Sequence, residues 1–122
     1  MDWLIVFIGG GLGSLLRYAL TFVPFFNVSV THPLQTLLAN VLASLILGYL
    51  SYLSLSTTEF PDSIKLGLTV GLCGGLSTFS TFTAETFELL QSGQFIQFFL
   101  YAIGSMMVCL IAFLIGTIIA GA

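Results

Sequence analysis

Between Gly71 and Glu85 the chain reads GLCGGLSTFSTFTAE. Ser77, Thr78, Ser80, Thr81 and Thr83 place five hydroxyls in seven positions, broken only by Phe79 and Phe82. At 100° per residue the two rings share one helix face a turn apart, with hydroxyls around them. Hydroxyls bond back to their own helix at little cost, so two or three would carry little meaning. Five in seven suit a polar pathway or a polar helix interface, and the pathway is the better fit. The rings extend the same chemistry. An aromatic edge is positive where the face is negative, so phenylalanines turned edge-on can stabilise a small, poorly polarisable anion without trapping it.

Other residues have matching capacities. Gly74-Gly75, deep in an apolar segment, can break a helix and free the carbonyls of Gly74 and Ser77 for a hard cation. The same pair can equally serve close helix packing, as can Gly9-Gly10-Gly11-Leu12-Gly13. Asn40 is a buried amide with two donors, suited to an anion or to gluing helices together. Tyr101 and Ser105 lie four apart and share a face, as pathway lining or as packing. Arg17 either snorkels to the interface or raises the local anion concentration in a vestibule. Glu85 and Glu88 share a face near a segment end, where interfacial carboxylates touch water. No acid sits mid-segment, as a cation route requires. Residue types alone lead to permeation of a small anion or a neutral solute, by a dimer.

The elements that hold these residues must be membrane helices. Hydrophobic residues make up 57% of the 122 and charged residues only 6%, against roughly 25% charged in a soluble domain. Two basic side chains argue against nucleic-acid binding. Cys73, Cys109 and the lone His32 form no zinc pattern, and no nucleophile–base pair suggests an enzyme. The N-terminal segment lacks a basic n-region and is too long for a signal peptide, so the first helix is expected to be retained.

Four spans, about 3–22, 34–55, 63–90 and 95–119, predict an all-α membrane protein forming a single domain over 1–122, each span near the roughly 20 residues a bilayer needs. The first stops near Val23-Pro24. The third is expected to break at Gly74-Gly75. Four spans put both termini and the Ser56–Asp62 loop on one side. Lys65 and Arg17 give almost no orientation bias. Dual insertion and an antiparallel two-fold dimer follow, unless a partner or the translocon fixes one orientation.

GGGLGSLLRY (9–18), TLLANVLASLILG (36–48) and GLCGGLSTFSTFTAE (71–85), in this order and spacing, resemble the three helix signatures of the small dual-topology fluoride channels, the CrcB or Fluc family. The resemblance covers essentially the full length. It implies an antiparallel dimer in the plasma membrane with two fluoride pathways, exporting fluoride passively. It also implies a structural sodium ion on the dimer axis, held by the carbonyls of Gly74 and Ser77. By position, Phe79 and Phe82 match the pathway rings and Asn40 the amide at a pathway mouth. Tyr101 and Ser105 match the fourth-helix contributors, and Ser80 and Thr81 fall within the same hydroxyl-rich lining.

Some positions depart from the pattern. Ser77 stands where Thr is commoner, Gln35 and Ala43 where Gly is frequent, and Cys109 and Phe113 where hydroxyls are expected. The last pair leaves room for a heterodimer in which each subunit has lost part of a pathway. A proton-coupled multidrug exporter and a non-conducting structural subunit are further alternatives; the exporter would need a mid-membrane carboxylate.

Overall fold

The computed structural model describes residues 2–22, 33–56 and 61–122. The connector that carries Pro24 and His32, and the centre of the Ser56–Asp62 loop, lie outside the described residues. Three helices are long and apolar enough to cross a membrane. Helix α1 (Asp2–Leu20) has Asp2 in its first turn and Arg17 in its last, charges that complement the helix dipole. Helix α2 (Pro33–Ser56) opens on a proline, which has no N–H to leave unpaired. Helix α6 (Phe95–Gly121) is the longest. The described residues contain no strand.

The third expected span is assembled from pieces. Helix α3 (Asp62–Leu66) leads into a π-helical stretch (Gly67–Cys73) and a single α-turn, α4 (Gly74–Leu76). Two extended residues follow, and helix α5 (Phe79–Gln91) completes the segment. Those two residues correct the position of the break. Gly74 keeps ordinary helical angles, φ −65° and ψ −36°, and Gly75 lies within α4. The chain opens at Ser77 (φ −75°, ψ 156°) and Thr78 (φ −150°, ψ 115°) instead.

The glycines act mainly through packing. Helix α1 lies along the π stretch and α4, and α2 lies along α6. A Cβ on Gly9 would overlap Gly67 O, one on Gly13 would overlap Leu72 O, and one on Gly75 would overlap Gly10 O. Likewise Gly48 meets Phe113 O and Gly116 meets Leu45 O across the other pair. Small residues at such crossings let backbones approach and gain dispersion contact where lipid supplies no hydrophobic drive. Gly74 is different: nothing lies within 4 Å of its would-be Cβ, and it stands on the surface of the chain.

Two further contacts fix the arrangement. Ser63 Oγ donates to Asp2 Oδ1 at 2.8 Å, setting the start of α1 beside the start of α3. Between α5 and α6, Gly93 adopts φ +72°, a left-handed conformation glycine accepts freely. Gln94 N–H then reaches Leu89 O at 2.9 Å and Gly93 N–H reaches Leu90 O at 3.2 Å, a Schellman ending. Finally Leu76, Ala39 and Ala43 form a small buried cluster flanked by Leu20, Leu42 and Ile46. This cluster presses the end of α4 against α2 beside Asn40.

Candidate functional site

The break is made by Asn40. In an uninterrupted helix Thr78 N–H would donate to Gly74 O, four residues back. It donates to Asn40 Oδ1 at 2.7 Å instead, and Asn40 Nδ2 donates to Thr78 O at 3.3 Å. The backbone donor fixes which end of the amide is oxygen. Ser77 N–H still closes the last turn on Cys73 O at 3.0 Å, so the helix stops one peptide later. Helix α5 then starts on a side-chain cap. Thr81 N–H donates to Thr78 Oγ1 at 3.3 Å, the N-cap role that suits threonine. One of the two Asn40 amide protons is thereby committed to the backbone.

Capture of these two N–H groups releases two carbonyls, because Gly74 O loses Thr78 N–H and Ser77 O loses Thr81 N–H. They are hard oxygen donors of the kind a cation such as sodium accepts. Arg17 Nη1 donates to Ser77 O at 3.4 Å, so Arg17 reaches inward to the break. A carbonyl has two lone pairs, which leaves one on Ser77 O. Two oxygens from one chain form only part of a cation's shell. Among the described residues no group of three or more His, Cys, Asp or Glu is placed to hold a metal.

Beside the break lies a cavity of about 270 Å³. Asn40 and Ser44 of α2, Phe79 and Phe82 of α5, and Ser105 of α6 line it, together with Ser77 and Thr78. Ser105 is 6% exposed and its Oγ has no hydrogen-bond partner. That is a costly state for a buried hydroxyl, and it leaves an O–H donor for whatever enters. The ring centroids of Phe79 and Phe82 are 5.7 Å apart, and that of Tyr101 lies 5.2 Å beyond Phe82. The three rings form a row leading away from the break. Phe79 is 79% exposed on the chain's own surface, so one wall of the cavity is open.

At the far end of the row stands a carboxylate. Glu85 is 4% exposed. Thr36 Oγ1 donates to its Oε1 at 2.7 Å, and Tyr101 Oη donates to its Oε2 at 2.6 Å. Burying a polar group is expensive unless it is hydrogen-bonded, and these two short bonds meet that condition. Beyond Glu85 a second cavity of about 320 Å³ opens between Pro33, Glu88 and Gln94.

The structure therefore gathers Asn40, Phe79, Phe82, Ser105 and Ser77 at one cavity, with Tyr101 adjoining through its ring. Tyr101 does not offer its proton there, because Glu85 holds it. Ser80 and Thr81 do not line the cavity. They sit one and two residues past Phe79, turned away from the face that Phe79 shares with Phe82. Both join the Thr78 cap instead, with Thr78 Oγ1 3.3 Å from Ser80 Oγ and donating to Thr81 Oγ1 at 3.0 Å. Glu88 is exposed as expected, but Glu85 is buried rather than wet.

Thr36 and Ser44 are absent from the sequence-based expectations, whereas Glu85 was expected in another setting. Thr36, Asn40 and Ser44 recur every four residues on α2, as Tyr101, Ser105 and Cys109 do on α6. That spacing marks one helix face and was the available signal.

With described residues almost entirely helical, several apolar segments of membrane-spanning length, and a break beside a cavity lined by hydroxyls, an amide and two phenylalanines, the chain is a multi-pass membrane protein. The family described as CrcB-like protein, Camphor Resistance (CrcB), matches residues 4–117, and the chain belongs to that family. It is 42% identical over 117 residues to a protein of Pyrococcus abyssi named fluoride-specific ion channel FluC, covering 96% of this chain and 94% of that one. A protein of Phocaeicola vulgatus with the same name is 40% identical over 113 residues, 93% of each chain. A Staphylococcus epidermidis relative, fluoride-specific ion channel FluC 1, is 39% identical over 121 residues, 99% of this chain and 98% of its own.

Proposed function

We propose that the chain conducts fluoride passively out of the cytoplasm across the plasma membrane. The observation that carries this is the cavity at the Ser77–Thr78 break, where Ser105, whose hydroxyl has no partner, is part of the lining with Phe79, Phe82 and Asn40. A hydroxyl proton and ring edges attract an anion without a full positive charge, which favours passage over capture. The relatives' names supply the identity of the ion. Along the row Phe79–Phe82–Tyr101 the anion moves towards Glu85, whose two carboxyl oxygens are both engaged by the Thr36 and Tyr101 hydroxyls. Arg17, which donates to Ser77 O, brings positive charge to the break.

Two copies complete the pathway. One wall of the cavity is open at Phe79, and a pathway open to lipid would not retain a hydrated ion, so a second chain closes it. With the four-span topology and its weak charge bias, that chain is inverted, which gives an antiparallel dimer with two pathways. The freed carbonyls of Gly74 and Ser77 from each copy then meet near the axis and hold a structural sodium ion. Gly74, open on the chain surface, suits such an approach.

The test is reconstitution of the purified chain alone into liposomes, with fluoride and chloride efflux followed in parallel. Fast fluoride loss with little chloride loss is expected. Absence of fluoride loss from folded protein would refute a self-sufficient homodimer, and rescue by co-expression with a second subunit would identify a heterodimer.

A further inference from the structure

The α6 wall of the cavity also carries sulfur. Cys109 and Met106 line it next to Ser105. Neither sulfur serves a hard anion, since a thiol donates weakly and a thioether not at all. Cys109 follows Met106 by three residues and Ser105 by four, spacings that bring helical side chains together on one face. Met106 is 70% exposed, and its unbranched thioether is free to swing. The other cysteine, Cys73, is 3% exposed, packed away and absent from the cavity lining.

Thiolate and thioether together are the donors that soft monovalent metals select. The same wall holds Ser105 Oγ, buried and without a hydrogen-bond partner, so one oxygen lone pair is uncommitted beside the two sulfur-bearing residues. We propose that Cys109 Sγ and Met106 Sδ form a soft-metal site for silver(I) or copper(I), with Ser105 Oγ as a weak third ligand, and that filling it closes the ion route.

The chemistry balances without a redox step. The Cys109 S–H bond breaks, an S–Ag bond forms, and the proton leaves to water. The Met106 thioether contributes a lone pair. The product carries no more charge than the silver ion and neutral thiol less the departing proton, so closure is steric. Closure rests on the proposed fluoride function, whereas binding does not.

Two measurements separate these. First, the full chain in detergent and chloride-free buffer is treated with silver nitrate, then with N-ethylmaleimide, and alkylation is mapped by peptide mass. Silver is expected to protect Cys109 in the parent chain, and Met106→Leu is expected to require about tenfold more silver for the same protection, one decade of affinity. Alkylation of Cys109 unaffected by silver would overturn the site.

Second, fluoride efflux from liposomes is compared before and after silver nitrate, each variant against its own silver-free rate. The parent chain and Cys73→Ser are expected to slow at least about tenfold and recover with dithiothreitol, while Cys109→Ser keeps its own rate. Equal inhibition of Cys109→Ser would overturn closure through this site. Absence of efflux before silver is added would count against the fluoride function alone, and protection of Cys109 would still decide the metal site.

Discussion

Replacing Asn40 by alanine tests how the break is held. The Asn40 amide makes both contacts that hold Thr78 in its extended conformation, at 2.7 Å to the backbone N–H and 3.3 Å to the carbonyl. Thr78 is 7% exposed, so no water replaces the amide readily. Side-chain hydrogen bonds in membrane proteins average about 0.6 kcal/mol and reach about 1.7 kcal/mol, so two of them contribute roughly 1–3 kcal/mol. Thr78 N–H has an alternative acceptor, however. With Asn40 gone it can return to Gly74 O and extend α4 by a residue, which recovers part of the loss. Asn40→Ala is therefore expected to cost at most about 2 kcal/mol of stability, within the general range for a polar deletion. The same change withdraws Gly74 O, shifts α5 with Phe79 and Phe82 relative to α2 and α6, and removes an amide from the cavity. Fluoride efflux should fall by at least about a hundredfold, more than the stability loss explains. The assay pairs liposome efflux with a thermal melt in detergent. Efflux within threefold of the parent would refute the idea that this amide holds the pathway open.

Other outcomes follow from the same geometry. Phe79→Ile and Phe82→Ile keep apolar bulk but remove the ring edge; each should cut fluoride efflux while size-exclusion chromatography still shows a dimer, and unchanged flux in both would remove the rings from the route. Glu85→Gln can accept from only one of Thr36 and Tyr101, so about 1–3 kcal/mol of stability should be lost, seen as a lower melting temperature than for Glu88→Gln, whose side chain is exposed. Gly116→Ala drives a Cβ into Leu45 O; overpacking of this kind costs about 1–3 kcal/mol and should lower the yield of folded protein. Gly74→Ala meets nothing within its own chain; it should leave monomer folding intact and weaken dimer assembly, as read by chemical cross-linking, and an unaffected dimer would move Gly74 away from the axis.

Much of this organisation is visible in local sequence. The limits of α1, α2 and α6 follow from apolar length, since few charges interrupt them. The Phe79–Phe82 face follows from helical periodicity, and the ring contact agrees with it. What escaped depends on partners far along the chain. A glycine pair marks where a helix can break, but the actual opening at Ser77–Thr78 is set by an amide 38 residues earlier. Gly75 is instead needed for contact with Gly10. Glu85 looked interfacial because it stands near a segment end; its burial depends on Thr36, 49 residues away, and Tyr101, 16 residues on. Arg17 was open between an interfacial and a vestibule role, and its donation to Ser77 O crosses 60 residues. The π-helical stretch arises where α1 must nest its glycines against Gly67 and Leu72, a tertiary demand with no local signature.

The most direct test of the central claim is electrical. The purified chain is fused into a planar bilayer under a tenfold fluoride gradient, with chloride at equal concentration on both sides. A fluoride-selective channel predicts a current that reverses at the fluoride equilibrium potential, about 59 mV from zero for a tenfold gradient of a monovalent ion. That potential should stay in place when chloride alone is varied. No current from folded protein, or a reversal potential that follows chloride, would contradict the account.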